Sequence, residues 1–253
     1  MPSSDRTPSR DRLTAAVLAF GRRWNAYEVR GAEHVPLDRP ALLVYYHGLL
    51  PLDAFYFGSW FYQRHGLLIR ALAERLIFQI PGLSALATDM GAVAGARDTA
   101  LDLLNQGCLV GVAPGGVREA IAGTENAYRL IWGERLGFAR VALQAGVDII
   151  PSFCENIDEA WRSPGVSHPA IQGFYERTRV PLVPVLGAGL LPFPVKLRSW
   201  LGAPIRALPG ESPESLRART AAAIEGLIAA HQRPRPRLPR ALLARIREPS
   251  WSP

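Results

Sequence analysis

A chain of 253 residues that is 48% hydrophobic and 20% charged can bury one large core, which excludes a disordered polyelectrolyte and a small disulfide-stapled fold. Lys plus Arg number 29 against 22 Asp plus Glu, a net charge of +7 that suits an anionic partner: a phospholipid surface, a phosphorylated substrate or nucleic acid. The only cysteines, Cys108 and Cys154, stand far apart in no CxxC pattern, which argues against a zinc site or a disulfide framework and fits reducing, cytoplasmic conditions.

The first eleven residues are polar and lack the apolar stretch of a signal peptide, so a disordered start is expected. Leu13, Val17, Leu18 and Phe20 then recur at helical spacing and Arg22-Arg23 close the segment, predicting a short amphipathic helix that packs on the body or lies on a membrane. Tyr27 to Gly31 reads as a small strand, and His34 as a surface residue in the following loop. From there apolar, β-prone runs alternate with helical patterns. Strands are predicted at Ala41–Tyr46, Gly66–Arg70, Cys108–Ala113, Asp148–Phe153 and Pro181–Leu186, and helices at Ala54–Tyr62, Ala71–Gln79, Arg97–Asn105 and Trp132–Ala145, the last ended by Gly146. Ser212-Pro213-Glu214 supplies an N-cap, a proline at N1 and an acidic first turn for a further helix. This rhythm predicts an α/β fold with a mostly parallel central sheet flanked by helices. It also divides the chain into an N-terminal extension (1–35), a catalytic domain (36–232) and a basic tail (233–253).

The stretch Tyr45-Tyr46-His47-Gly48-Leu49-Leu50-Pro51-Leu52-Asp53 is organised like a site. On one helix the six-residue offset would hold His47 and Asp53 about 240° apart, and Pro51 disfavours helix at Leu50. They can meet only if His47 ends a strand, the chain turns back, and Asp53 caps the next helix. A general base oriented by a carboxylate is one reading. A satisfied core histidine beside an ordinary helix cap is another, and a membrane span over Ala41–Tyr62 is disfavoured by the His, Asp and Pro near its middle.

Three more stretches can carry chemistry. Gly91 to Arg97 puts an arginine at a loop-to-helix junction, where a cation and free N–H groups together hold a phosphate. Pro114-Gly115-Gly116-Val117-Arg118-Glu119 follows a buried-looking strand, and its paired glycines let backbone approach a ligand. Glu155-Asn156 ends a third strand at what would be the same sheet edge, where open parallel sheets bind ligands. No GxxxxGK[ST] loop and no GxSxG elbow occurs, which removes the usual marks of phosphate-loop and α/β-hydrolase chemistry. Both cysteines lie in apolar runs suited to inert thiols.

The ordered series of Tyr45-Tyr46-His47-Gly48 with Pro51 and Asp53, Pro114 to Ala120, Trp132-Gly133, Gly137-Phe138-Ala139, Ile149-Ile150-Pro151, Glu155-Asn156 and Phe193 to Arg198 resembles the glycerolipid acyltransferases of the lysophosphatidate acyltransferase type. It is most similar to the branch containing transmembrane protein 68 and the second diacylglycerol acyltransferase family. The resemblance implies His47 as the base that deprotonates an acceptor hydroxyl and Asp53 as its orienting partner. The acyl group would come from a thioester on coenzyme A or carrier protein, with no cofactor. Arg97, Gly115, Gly116, Arg118 and Glu119 would bind substrate phosphate or the oxyanion, and Glu155 and Asn156 would face the acceptor. Two departures stand out: five residues separate His from Asp where the wider family has four, and Gly115 stands where it usually has a glutamate, a role Glu119 could take over.

That branch carries membrane spans ahead of its first motif and no such span is seen here, implying a cytoplasmic, peripherally membrane-associated enzyme with an anionic membrane surface as partner. Val180 to Val195, apolar but broken by four prolines, is either an acyl- or bilayer-contacting surface or a buried strand with its loop. Beyond Arg233, leucines and Ile246 alternate with arginines as in a basic amphipathic segment, with a loose solvated tail as the alternative. The same residues permit acyl transfer to an amine or other non-glycerol acceptor, and non-catalytic lipid binding. Nucleic acid is disfavoured because aromatic and basic residues are not interleaved.

Overall fold

The computed structural model of the chain describes residues 5–165, 177, 183–232 and 238–248. Seven strands form one sheet: β1 (Glu28–Arg30), β2 (Ala41–Tyr45), β3 (Ile69–Ala73), β4 (Val93–Ala94), β5 (Leu109–Val112), β6 (Asp148–Glu155) and β7 (Arg198–Leu201), in the order β1-β7-β6-β2-β5-β3-β4. All neighbours pair in parallel except β6 with β7. The most apolar strand, β2, lies between β5 and β6 and buries Ala41 to Val44 completely, as a central strand covered on both faces must. The mostly parallel α/β architecture read from the sequence is the one observed.

Among the described residues the helices used below are α1 (Pro8–Asn25), α2 (Leu52–His65), α3 (Leu83–Asp89), α4 (Arg97–Asn105), α5 (Val117–Ala120), α6 (Gly137–Ala145), α7 (Ile157–Ala160), α8 (Pro213–His231) and α9 (Leu238–Arg247). Thr7 caps α1 by accepting from Arg10 N–H, with Pro8 at its start. The chain is therefore ordered well before Leu13, and the Asp5 carboxylate is tied to Leu68 N–H and Arg70. Ser212 caps α8 in the same way, and Gly146 ends α6 in the left-handed conformation.

Several expected boundaries moved. Gly66 is the left-handed cap of α2, so β3 begins only at Ile69 and runs to Ala73. The helix expected over Ala71–Gln79 is thus replaced by strand and a 3₁₀ turn, because pairing of Leu72 and Ala73 with β4 overrides local propensity. The helix expected from Trp132 starts at Gly137, since Gly133 takes a left-handed φ of 54° that interrupts a helix there. The start of the expected strand Pro181–Leu186 lies outside the described residues, and Leu186 itself forms only an isolated bridge to Arg162. No helix among the described residues is long and apolar enough to cross a membrane.

Because β2 to β6 are parallel, their carboxyl ends line one edge. His47 follows β2 there, Gly115 follows β5, and Asn156 follows β6.

Candidate active site

His47 is held from two sides. Its backbone N–H donates to Glu119 Oε2 at 3.1 Å, and its ring Nδ1 lies 2.6 Å from the carbonyl oxygen of Gly48. A carbonyl only accepts, so Nδ1 carries the proton and Nε2 keeps a free lone pair. Burial lowers the imidazole pKa below its ordinary value, leaving the ring neutral near pH 7. Gly48 itself is required by packing: a Cβ there would stand 2.7 Å from Ile157 Cγ1.

Asp53 does not meet the ring in this structure. The helix starts two residues earlier than expected, with Pro51 in the cap position, so Asp53 falls inside the first turn rather than capping it. The carboxylate is buried, and its Oδ1 has no hydrogen-bond partner among the described residues. Burial pushes its pKa up to about 7. Tyr27, Tyr45 and Cys154 are raised chiefly by burial and further by this neighbouring carboxylate.

The loop after β5 is shaped around one carboxylate. A Cβ on Gly115 would fall 1.9 Å from Glu119 Cδ, so glycine there makes room for Glu119 to fold back beneath the loop. Glu119 then accepts from His47 N–H and, at 2.9 Å, from Ile131 N–H. Burial raises its pKa to about 7 despite these bonds. Gly116 serves differently: its φ of 50° with ψ of −134° is open only to glycine. No hydrogen bond uses the N–H of Gly116 or Val117 among the described residues. Arg135 secures the loop from outside, donating to the carbonyls of Pro114 and Gly115. Arg118 is exposed beside Gly133 and makes no ion pair among the described residues.

The other sequence candidates fall elsewhere. Arg97 opens α4 but its guanidinium donates to Gln144 of α6 at 3.2 Å. Glu155 is paired with Arg198 at 3.0 Å, and the left-handed Asn156 donates to Lys196 O from its side chain and to Gln232 Oε1 from its backbone. The last two lie at the expected edge, yet their polar groups are committed to holding β6, β7 and α8 together.

A cluster beside the His47 loop is not legible in the sequence. Tyr46 O–H donates to Asp158 Oδ2 at 2.7 Å, and Tyr128 N–H reaches the same oxygen at 3.1 Å. Tyr128 O–H donates to Glu159, whose other oxygen, Oε1, is buried without a partner among the described residues. Burial raises Asp158 to about 6 and Glu159 to about 7. A recess of about 10 Å³, room for a single water, is lined by Tyr46, Leu49, Glu119, Asp158 and Trp161 among others. The signal that could have found the cluster is the tyrosine before His47, which when buried must find an acceptor. No group of three His, Cys, Asp or Glu residues among the described residues could hold a metal ion.

A family model described as Acyltransferase matches residues 26–155. The chain is 41% identical over 238 residues to a Bos taurus protein named "DGAT1/2-independent enzyme synthesizing storage lipids", covering 93% of this chain and 70% of the relative. The Homo sapiens protein of that name is 41% identical over 237 residues, covering 93% and 71%. Among solved structures, the 1-acyl-sn-glycerophosphate (LPA) acyltransferase PlsC of Thermotoga maritima superposes with a TM-score of 0.58 at 18% identity, covering 90% of this chain and 84% of that one. The last comparison speaks for the fold alone.

Proposed function

The chain belongs to the acyltransferase family, and on that premise we propose that it moves a fatty acyl group from an acyl thioester, on coenzyme A or carrier protein, to a hydroxyl of a glycerolipid. One observation carries the reading: His47 stands at the carboxyl edge of the sheet with Nδ1–H donating to a carbonyl and Nε2 free, the tautomer a general base needs. In this reaction Nε2 takes the acceptor hydroxyl proton as its oxygen bonds to the thioester carbon. The tetrahedral oxyanion then collapses, the carbon–sulfur bond breaks, and the proton passes to the departing thiolate. A placed base contributes about 10²–10⁴ in rate and each oxyanion donor about 10²–10³.

The remaining roles follow from position. The unused N–H groups of Gly116 and Val117 are the donors assigned to the oxyanion. Arg118 and Arg97 are assigned to substrate phosphate, Arg97 after release from Gln144. Asp53 is assigned as the carboxylate that takes Nδ1–H when substrate turns the ring; its unpartnered Oδ1 supports this, since leaving such an atom unsatisfied costs about 1–3 kcal/mol. Glu119 is assigned to positioning, through the His47 backbone. Glu155 and Asn156, committed to the fold, are not assigned to the acceptor.

The test is a competition assay. The purified chain, given acyl-CoA and an equal mixture of lysophospholipid, monoacylglycerol, diacylglycerol and long-chain amine, should release thiol and yield a glycerolipid ester by mass spectrometry. An amide as the main product would overturn the glycerol reading while keeping the base. No product with any acceptor or with acyl carrier protein as donor would overturn both.

A further inference from the structure

Three segments far apart in sequence meet at the carboxyl end of α1. Trp24 Nε1 donates to Pro192 O at 2.8 Å, and Arg245 of α9 donates to the carbonyls of Arg23 and Trp24. Each segment brings large apolar side chains that the fold leaves outside. Phe20 stacks on Trp24 and is exposed; Leu186 and Leu190 are 60% and 98% exposed, and Leu243 and Ile246 47% and 74%. Leu190 is held out by construction, on a tight turn closed by paired hydrogen bonds between Ala188 and Leu191 with Gly189 at φ 70°. A leucine fixed at that exposure has no folding role; it needs an apolar environment from elsewhere.

Charge says which environment. Arg12, Arg22 and Arg23 on α1 and Arg240, Arg245 and Arg247 on α9 accompany these side chains. Residues 12–25, 183–194 and 238–247 contain no Asp or Glu at all. Exposed apolar side chains on segments that carry arginine and no acid match the interface of an anionic lipid leaflet. The surface also adjoins the site. Leu186 bridges to Arg162, and Gly187 lies so close to Trp161 that a Cβ would come within 2.5 Å of its ring. Trp161 lines the recess beside Tyr46 and Glu119.

We infer that Phe20 and Trp24, the 186–191 turn and α9 form one docking surface for an anionic bilayer, with Leu190 as the inserted side chain and the His47 edge facing the lipid. The inference deepens the glycerolipid reading and rests on it for the choice of lipid over protein. The binding test below does not require turnover. α9 is held for this role from behind: Lys196 donates to Glu248 O at 2.7 Å, and Arg198 pairs with the Glu248 carboxylate at 2.9 Å.

The experiment is co-sedimentation of the full chain with phosphatidylcholine vesicles, with and without phosphatidylserine, alongside L190D, I246D and H47A. The wild type and H47A should pellet together, more strongly with phosphatidylserine, while L190D and I246D each lose about tenfold or more in partitioning. Both substituted positions are exposed, and unchanged circular dichroism will verify folding. Variants that pellet like the wild type, or a wild type that stays in the supernatant, overturn the proposal. A wild-type dimer in light scattering that L190D converts to monomer also overturns it, by assigning the surface to a second copy. If H47A and wild type bind alike but no acyl transfer is found, the docking surface stands and the catalytic reading falls.

Discussion

Two regions of this molecule bury ionisable groups and treat them in opposite ways. Beside β1 and β7, Glu28 accepts from Lys196 at 2.7 Å and from Arg198 at 3.0 Å, and Arg198 also pairs with Glu155 and Glu248. Burial opposes the charge on Glu28, but the bonds from Lys196 and Arg198 outweigh it and its pKa falls. Around the His47 loop, Asp53, Glu119 and Glu159 are buried and Asp158 half-buried, with no ion pair among the described residues, and desolvation raises all four. The first region spends its charges on holding strands together. The second keeps carboxyl groups near neutrality and leaves Oδ1 of Asp53 and Oε1 of Glu159 unsatisfied, an arrangement that stability alone does not explain.

Substitutions can sharpen or break that contrast. The largest effect is expected from H47A, which should cut thiol release by about 10²–10⁴ while leaving the circular dichroism spectrum intact; retained turnover would remove His47 as the base. Glu28→Gln, in the paired region, should destabilise by about 3 kcal/mol in urea titration, because it strips the partner from a buried lysine. Gly115→Ala should cost about 2–3 kcal/mol through collision with Glu119, with activity falling as the His47 loop shifts. Glu159→Gln makes the same chemical change as Glu28→Gln, yet at pH 8 it should stabilise by about 1–2 kcal/mol. Equal signs for the two Glu→Gln variants would mean that the regions do not differ.

The pH dependence follows from the same groups. A carboxyl whose pKa is higher folded than unfolded binds more protons in the native state, so its contribution to stability is full below the unfolded value. That contribution is lost as pH rises toward the folded value. With folded values of about 6 to 7, thermal stability should decline between about pH 4 and 7, and E159Q should flatten the slope. Activity should run the other way, since the His47 base form fills as pH rises through a pKa below its ordinary value; the acid limb of kcat/KM will report it.

Elements whose own residues decide their structure were legible in the sequence. The apolar runs of β2, β5 and β6, the capped α8, and α4 to the residue all stand where periodicity and capping put them. Elements made by distant partners were not. Arg198-Ser199-Trp200-Leu201 is too short and charged to read as a strand, and becomes one only between β1 and β6. The site divides likewise. His47 and the glycine loop announce themselves by local chemistry, whereas Asp158 and Glu159 look like the solvated start of a helix until Tyr46 and Tyr128 fold over them. The His47–Asp53 contact was inferred from a turn, and the ring bonded instead to its nearest carbonyl.

The position of β7 has a consequence for synthesis. Glu28 and Arg198, joined on neighbouring strands, are 170 residues apart, so β1 leaves the ribosome long before its sheet neighbour does. Pairing over such a span is slow to close, and meanwhile the nascent amino-terminal strand is an open edge, exposed to chaperones and to other chains.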